Sequence, residues 1–239
     1  MRAHPQERKA LDPIAASTER FVDTVKGLSP ADVAGESLVP PWTRGHVITH
    51  VARAADSLCR LLSWAETGVE TPQYAGMDAR AEEIEAGAKR PVDELVADVV
   101  ESAARFEAAV RALSSAAWHN EVRMRTGELR TPVSLVPTRL RELEIHHVDL
   151  ARGYSCADVP QEAARWIIED LVEAQRHRTG APALRIEATD TGLALELAAG
   201  GPTVSGTQAD LLGWLTGRTS GALLRSSAGG PPPPAPYWI

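Results

Sequence analysis

The stretch from Pro132 to Gly153 has the length and punctuation of one helix, and it carries polar groups next to its apolar side. At about 100° per residue, Arg139, Glu142, His146 and Asp149 fall on one narrow stripe. Val136, Leu143 and Leu150 border it on one side and Ile145 on the other, while Arg141, Glu144 and Arg152 take the remaining, solvent-directed face. Polar groups beside a core need partners, because burying them bare is costly. A metal ion, a substrate anion or a salt-bridge network could each supply them. Glu142 and His146, one turn apart, fit either a surface ion pair or two ligands to one cation.

Three other long amphipathic segments can face this helix. Pro5 to Gly27 offers Leu11, Ile14, Ala15, Phe21, Val22 and Val25, and Gly27 ends it. Ser29 to Asp32 opens a short turn or helix, and Pro40-Pro41 is a further break. Thr43 is the expected N-cap of a helix running to Thr67 and closed by Gly68. On its wheel His50 is centred among Val47, Ala54, Leu58 and Leu61, with Thr49, Arg53, Asp56 and Arg60 pointing elsewhere. Val92 to Leu113 repeats Leu95, Val99, Ala103, Phe106 and Val110. Between the last two lies a long connection, 69–93, with a short acidic helix from Met77 to Ala86; Tyr74 and Arg80 in it could meet an anionic ligand. Thr126-Gly127 marks a small hairpin, and Pro132 and Pro137 precede or open the helix first described. Four such helices predict an antiparallel bundle, in which metal sites are built from facing side chains.

After Tyr154 the pattern changes. A helix from Val159-Pro160 to about Thr179 is followed by alternating strands at Ala183–Ala188 and Leu193–Leu197 around Thr191-Gly192. A third short strand follows at Thr203–Ser205, then a helix capped by Thr207 and closed by Gly217. The Pro-rich tail from Gly229 to Pro236 reads as extended, with Tyr237 and Trp238 able to dock. The predicted fold class is therefore α+β: a helical bundle over 1–154 and a small α/β domain over 155–239.

The 44% hydrophobic content of 239 residues is enough for a sizeable core. A formal charge of −7 argues against nucleic-acid binding. The sequence lacks an apolar run of membrane-spanning length, and its first residues lack a secretory h-region. Two distant cysteines, Cys59 and Cys156, suit a reducing cytoplasm without disulfides. His50 by itself fits a hydrogen-bonded core histidine; combined with Glu142 and His146 it makes a two-histidine, one-carboxylate set, which leaves an open position on zinc.

Three segments carry a resemblance to a known family: Trp42-Thr-Arg-Gly-His-Val-Ile-Thr-His50-Val-Ala, Leu62-Ser-Trp-Ala-Glu-Thr-Gly-Val-Glu-Thr-Pro-Gln-Tyr-Ala-Gly-Met-Asp-Ala-Arg-Ala-Glu-Glu-Ile84, and Arg141-Glu-Leu-Glu-Ile-His-His-Val-Asp-Leu150. Together they resemble the mycothiol-dependent maleylpyruvate isomerases over nearly the whole chain. The resemblance implies a DinB-like four-helix bundle with a small C-terminal α/β domain. It also implies zinc on His50, Glu142 and His146, mycothiol as thiol cofactor, and a required arginine matched by Arg218. His46 and His147 match no ligand. The implied reaction is cis–trans isomerisation of maleylpyruvate to fumarylpyruvate by reversible thiolate addition, a step of gentisate-type aromatic catabolism. Arg218, then Arg139 and Arg80, are the expected carboxylate partners, with Tyr74 beside them in cofactor binding; Asp149 is either a partner of a ligand imidazole or a salt-bridge residue. Competing expectations are mycothiol transfer to other electrophiles and a non-enzymatic two-domain binding protein. A cytoplasmic monomer is expected.

Overall fold

The computed structural model of the protein describes residues 5–176, 178 and 180–235, with the side chains of 5–10 left aside. The chain divides into two compact units, Met1–Arg152 and Gly153–Ile239, and the fold is α+β. Tyr237 and Trp238, expected to dock, lie outside the described residues.

In the first unit α1 (Pro5–Lys26), α3 (Arg44–Thr67), α5 (Val92–Ala112) and α6 (Pro132–Asp149) form the bundle. α3 packs on α5 and α6, and α1 closes the ring by packing on the same two helices. Helices successive in sequence, α1 with α3 and α5 with α6, therefore occupy opposite corners. The connections between them are long enough for this, carrying α2 (Pro30–Ala34) and the two-stranded hairpin β1 (Val122–Arg123) and β2 (Leu129–Arg130). Local chemistry sets the helix ends. Ser29 and Asp32 form a reciprocal capping box on α2. Thr43 caps α3 with His46 in the role usually taken by a glutamate, and Gly68 ends α3 at φ 72°. α6 opens at Pro132, so Pro137 falls inside it and removes one helical hydrogen bond.

Phe21, Val25, Val47, Val51, Leu61, Leu95, Val99, Leu135 and Leu143 fill the core. Two expectations of facing change here. Ala15 is exposed, whereas Thr49 is buried. The second follows from the docking of α4 (Met77–Gly87) on α3. A Cβ at Gly87 would lie 2.4 Å from Thr49 Cγ2, and one at Gly45 would lie 2.0 Å from the Ala88 carbonyl oxygen. Only glycine allows so close an approach, and it sets α4 against the segment of α3 that holds His50.

α6 shows the largest departure from the helical wheel. Arg141 and Glu144, expected on a solvated face, are buried, and Arg152 alone of the three is exposed. α1 covers that face: Ser17 donates to Glu144 Oε1 at 2.6 Å and Arg20 Nη2 to the same oxygen at 2.5 Å. His147 is taken up by the same contact, 2.7 Å from Thr24 Oγ1 and edge-on to Phe21.

In the second unit α7 (Gln161–Arg176) buries Ile167, Ile168, Leu171 and Val172. The sheet order is β4 (Ala194–Ala198), β3 (Leu184–Ala188), β5 (Thr203–Gly206) and β6 (Arg225–Ser226). β3 pairs antiparallel with β4 and parallel with β5, and β6, not expected from the sequence, adds two residues along β5. Thr207 caps α8 (Gln208–Leu215). Among the described residues, no helix is long and apolar enough to cross a membrane.

Candidate metal centre

α3 supplies His50, and α6 supplies Glu142 and His146 one turn apart. Glu142 Oε2 lies 3.3 Å from His50 Nε2 and 3.5 Å from His146 Nε2. The two imidazoles meet almost perpendicularly, with centroids 4.6 Å apart. Among the described residues this is the one group of three His, Cys, Asp or Glu side chains whose donor atoms converge, all within 4.8 Å of one another. Both histidines are buried, while 17% of the Glu142 side chain remains exposed, so the open side is at the carboxylate. Two neutral nitrogens and one carboxylate oxygen suit zinc or a similar divalent ion.

The surroundings orient these donors. His146 Nδ1 lies 2.8 Å from Asp149 Oδ2, which directs Nε2 toward the centre. His50 Nδ1 faces Arg80 Nη2 at 3.3 Å. The Arg80 guanidinium is held between the rings of Trp42 and Tyr74, 5.6 and 5.9 Å from their centroids. Trp42 in turn lies against His50, with ring centroids 5.3 Å apart. Because Asp149 is fully enclosed and holds His146 Nδ1, Asp149→Asn is expected to weaken metal binding by about 10- to 100-fold and to lower the stability of the metal-free fold as well. Metal competition titrations check this.

Electrostatics divides the two histidines. Burial, with His146 alongside, pushes His50 down to about 4. Burial acts on His146 in the same sense, but hydrogen bonds with Asp149 and Glu142 outweigh it and raise its pKa. Burial opposes ionisation of Glu142 as well, yet hydrogen bonds from His146 and His50 hold its carboxyl well below the usual value. In metal-free protein, His50 withdraws stability as pH falls from the ordinary 6.5 toward 4, and His146 withdraws it as pH rises above 6.5 through its raised value. Stability without metal is thus expected to peak near pH 6.5, and metal uptake to displace the His146 proton. Apparent affinity then rises by up to about tenfold per pH unit until His146 has titrated. Chelator-treated protein followed by urea denaturation, and proton release in weakly buffered metal titrations, measure both.

The remaining candidates divide clearly. Arg80 and Tyr74 are brought to the centre, although the Tyr74 hydroxyl is turned toward α3, 3.4 Å from the Arg53 carbonyl. Arg139, expected to meet a substrate carboxylate, is instead fully enclosed in the bundle and donates to the Val51 carbonyl at 2.6 Å. Arg218 belongs to the second unit, after α8, where Nη1 donates to the Thr216 carbonyl. His46 is turned away from the centre toward Thr43 and Glu85. Trp42 had no role predicted from the sequence; its place directly after Val39-Pro-Pro and immediately before a helix cap is the signal that could have marked it.

Both units of the chain match known proteins. The family described as mycothiol maleylpyruvate isomerase N-terminal domain matches residues 14–151, and its C-terminal domain matches 155–236. The chain belongs to the mycothiol maleylpyruvate isomerase family. Among solved structures, a mycothiol-dependent maleylpyruvate isomerase is 30% identical, with a TM-score of 0.87 and 97% of each chain covered. A histidine-to-alanine mutant of a mycothiol-dependent maleylpyruvate isomerase matches at 29% identity and 0.86, again over 97% of each chain. No curated protein gives a significant match. The family assignment spans both units, and the converging His50, Glu142 and His146 lie inside the part matched by the N-terminal domain.

Proposed function

We propose that this protein is a zinc- and mycothiol-dependent isomerase that converts maleylpyruvate to fumarylpyruvate. The observation that carries the reading is the convergence of His50, Glu142 and His146 in a chain whose two units both match this family. When bound by these three residues, zinc supplies a Lewis-acid position that favours ionisation of a thiol.

The substrate has a cis double bond conjugated to carbonyls. Addition of the thiolate sulfur to one alkene carbon moves the electron pair onto the carbonyl as an enolate and leaves a single bond. Rotation and expulsion of the same thiolate give the trans product, so the thiol is regenerated and no redox partner is consumed. Cys59 is a poor substitute nucleophile, since burial pushes its thiol up to about 11. Asp149 fixes the His146 ring. Arg80 can donate to His50 Nδ1 only while that nitrogen is unprotonated. With Nε2 of His50 holding a metal, the imidazole proton would lie on Nδ1, and Arg80 would then be free to pair with a substrate carboxylate. Arg218 is proposed as the second carboxylate partner, on the strength of the family resemblance; Arg218→Lys tests it, because a lysine keeps the charge without the bidentate fork.

The deciding experiment follows maleylpyruvate spectroscopically with zinc-loaded protein, with and without mycothiol. Isomerisation is expected only with both present. Zinc-loaded protein that is inert with mycothiol would refute the reading, and stable mycothiol adducts with other electrophiles would move it to thiol transfer.

A further inference from the structure

A cavity opens beside His50, between the start of α3 and α4. It has a volume of about 830 Å³ and is lined by Pro41, Trp42, His46, Arg80, Glu82 and Glu85, among others. Trp42 and Arg80 are shared with the centre: both touch His50, at 5.3 Å between rings and 3.3 Å between nitrogens. Trp42 and Arg80 therefore stand between this cavity and His50.

The lining alternates donors and acceptors around an aromatic wall. Arg80 contributes only donors, and the exposed carboxylates Glu82 and Glu85 only acceptors. His46 is fixed between the two kinds. Its Nδ1 accepts from the Thr43 backbone N–H at 3.2 Å, so Nε2 bears the proton and donates to Glu85 at 2.9 Å. Hydroxyl groups, which both donate and accept, satisfy such a surface, and the C–H faces of sugar rings suit an indole. An anion would meet two carboxylates, a cation would meet Arg80, and a purely apolar ligand would strip water from all of them unpaired. The volume lies within the roughly 300–1,000 Å³ usual for small-molecule sites.

We infer that this cavity is the subsite for the polyhydroxylated part of the thiol cofactor, its sugar moieties held by Trp42, His46, Glu82 and Glu85 while the thiol end passes Arg80 to the metal centre. This rests on the proposed mycothiol dependence and adds where that cofactor is gripped. It also gives His46 a role after the geometry has removed it from the metal.

The probe is the thiol-free sugar portion of mycothiol, titrated calorimetrically into metal-free and zinc-loaded protein. Binding of similar strength to both is expected, because the subsite excludes the metal. Ala81→Trp, which places an indole into the cavity from an exposed position of α4, is expected to weaken that binding at least tenfold and to raise the KM for mycothiol by a similar factor. Its zinc affinity, melting temperature and KM for maleylpyruvate should stay at wild-type values. Glu82→Ala should weaken fragment binding in the same direction. Absence of fragment binding to the wild type, or binding unchanged in Ala81→Trp, overturns the subsite even if isomerisation is intact. Fragment binding that Ala81→Trp abolishes, in a protein without isomerase activity, upholds the subsite while rejecting the reaction.

Discussion

Glu142→Gln is expected to give a folded protein that no longer retains zinc through dialysis and has lost isomerisation with it. Glu142 is the single anionic donor of the centre and stands between the two imidazoles, 3.3 Å from one and 3.5 Å from the other. A glutamine fills the same volume and can still hydrogen-bond to a neutral histidine, so the bundle keeps its core. The metal loses a charged ligand, and the uptake of zinc is most sensitive to that change. Structural zinc sites with four ligands are worth about 10–16 kcal/mol, so loss of one donor of three costs about 3 kcal/mol or more, roughly a hundredfold or greater in affinity. Metal content after dialysis, together with melting curves of metal-free wild type and variant, separates this from unfolding. Wild-type zinc affinity in a folded Glu142→Gln protein would show that the three residues do not form the centre.

The centre was legible in the sequence because helical periodicity is a local property. The spacing of Glu142 and His146, and the position of His50 among Val47, Ala54, Leu58 and Leu61, are set by the turn of each helix, whatever the helices pack against. The glycines and capping residues fixed the ends for the same reason. What escaped depended on docking. The wheel assigned Arg141 and Glu144 to solvent because it sees one apolar side of α6 and knows nothing of α1, which covers the other and partners Glu144 through Ser17 and Arg20. Thr49 was misplaced because α4 was legible as a helix but not as one lying against α3. Of the residues around His50, Trp42 and Tyr74 belong to aperiodic connections, where spacing carries no direction, and Arg80 to α4, whose docking on α3 no spacing reveals. Asp149 was the intermediate case: its i,i+3 relation to His146 was visible, but only the 2.8 Å contact at Nδ1 separates an orienting carboxylate from a surface pair.

Arg139 carries the second large effect, and here the choice of substitution decides its size. The side chain is wholly enclosed, one turn before Glu142, and its Nη1 bonds the carbonyl of Val51, the residue after His50. It thereby ties the two ligand-bearing helices together. Burial nevertheless lowers its pKa to about 10, with Glu142 opposing that shift, and Nε and Nη2 have no hydrogen-bond partner among the described residues. Arg139→Ala should therefore destabilise the protein by about 3–5 kcal/mol, through the cavity left by a large buried side chain and the loss of the link to α3. Arg139→Met restores most of the volume and removes a charge whose desolvation was incompletely repaid, so its stability should return to within about 1–2 kcal/mol of the wild type. Both variants should bind zinc more weakly, since neither holds Val51, and with it His50, in register with α6. Urea denaturation of metal-free protein combined with zinc competition tests the two quantities separately. If Arg139→Met proved as unstable as Arg139→Ala, the guanidinium charge itself would be the stabilising element; unchanged zinc affinity in both would remove the link to the metal centre.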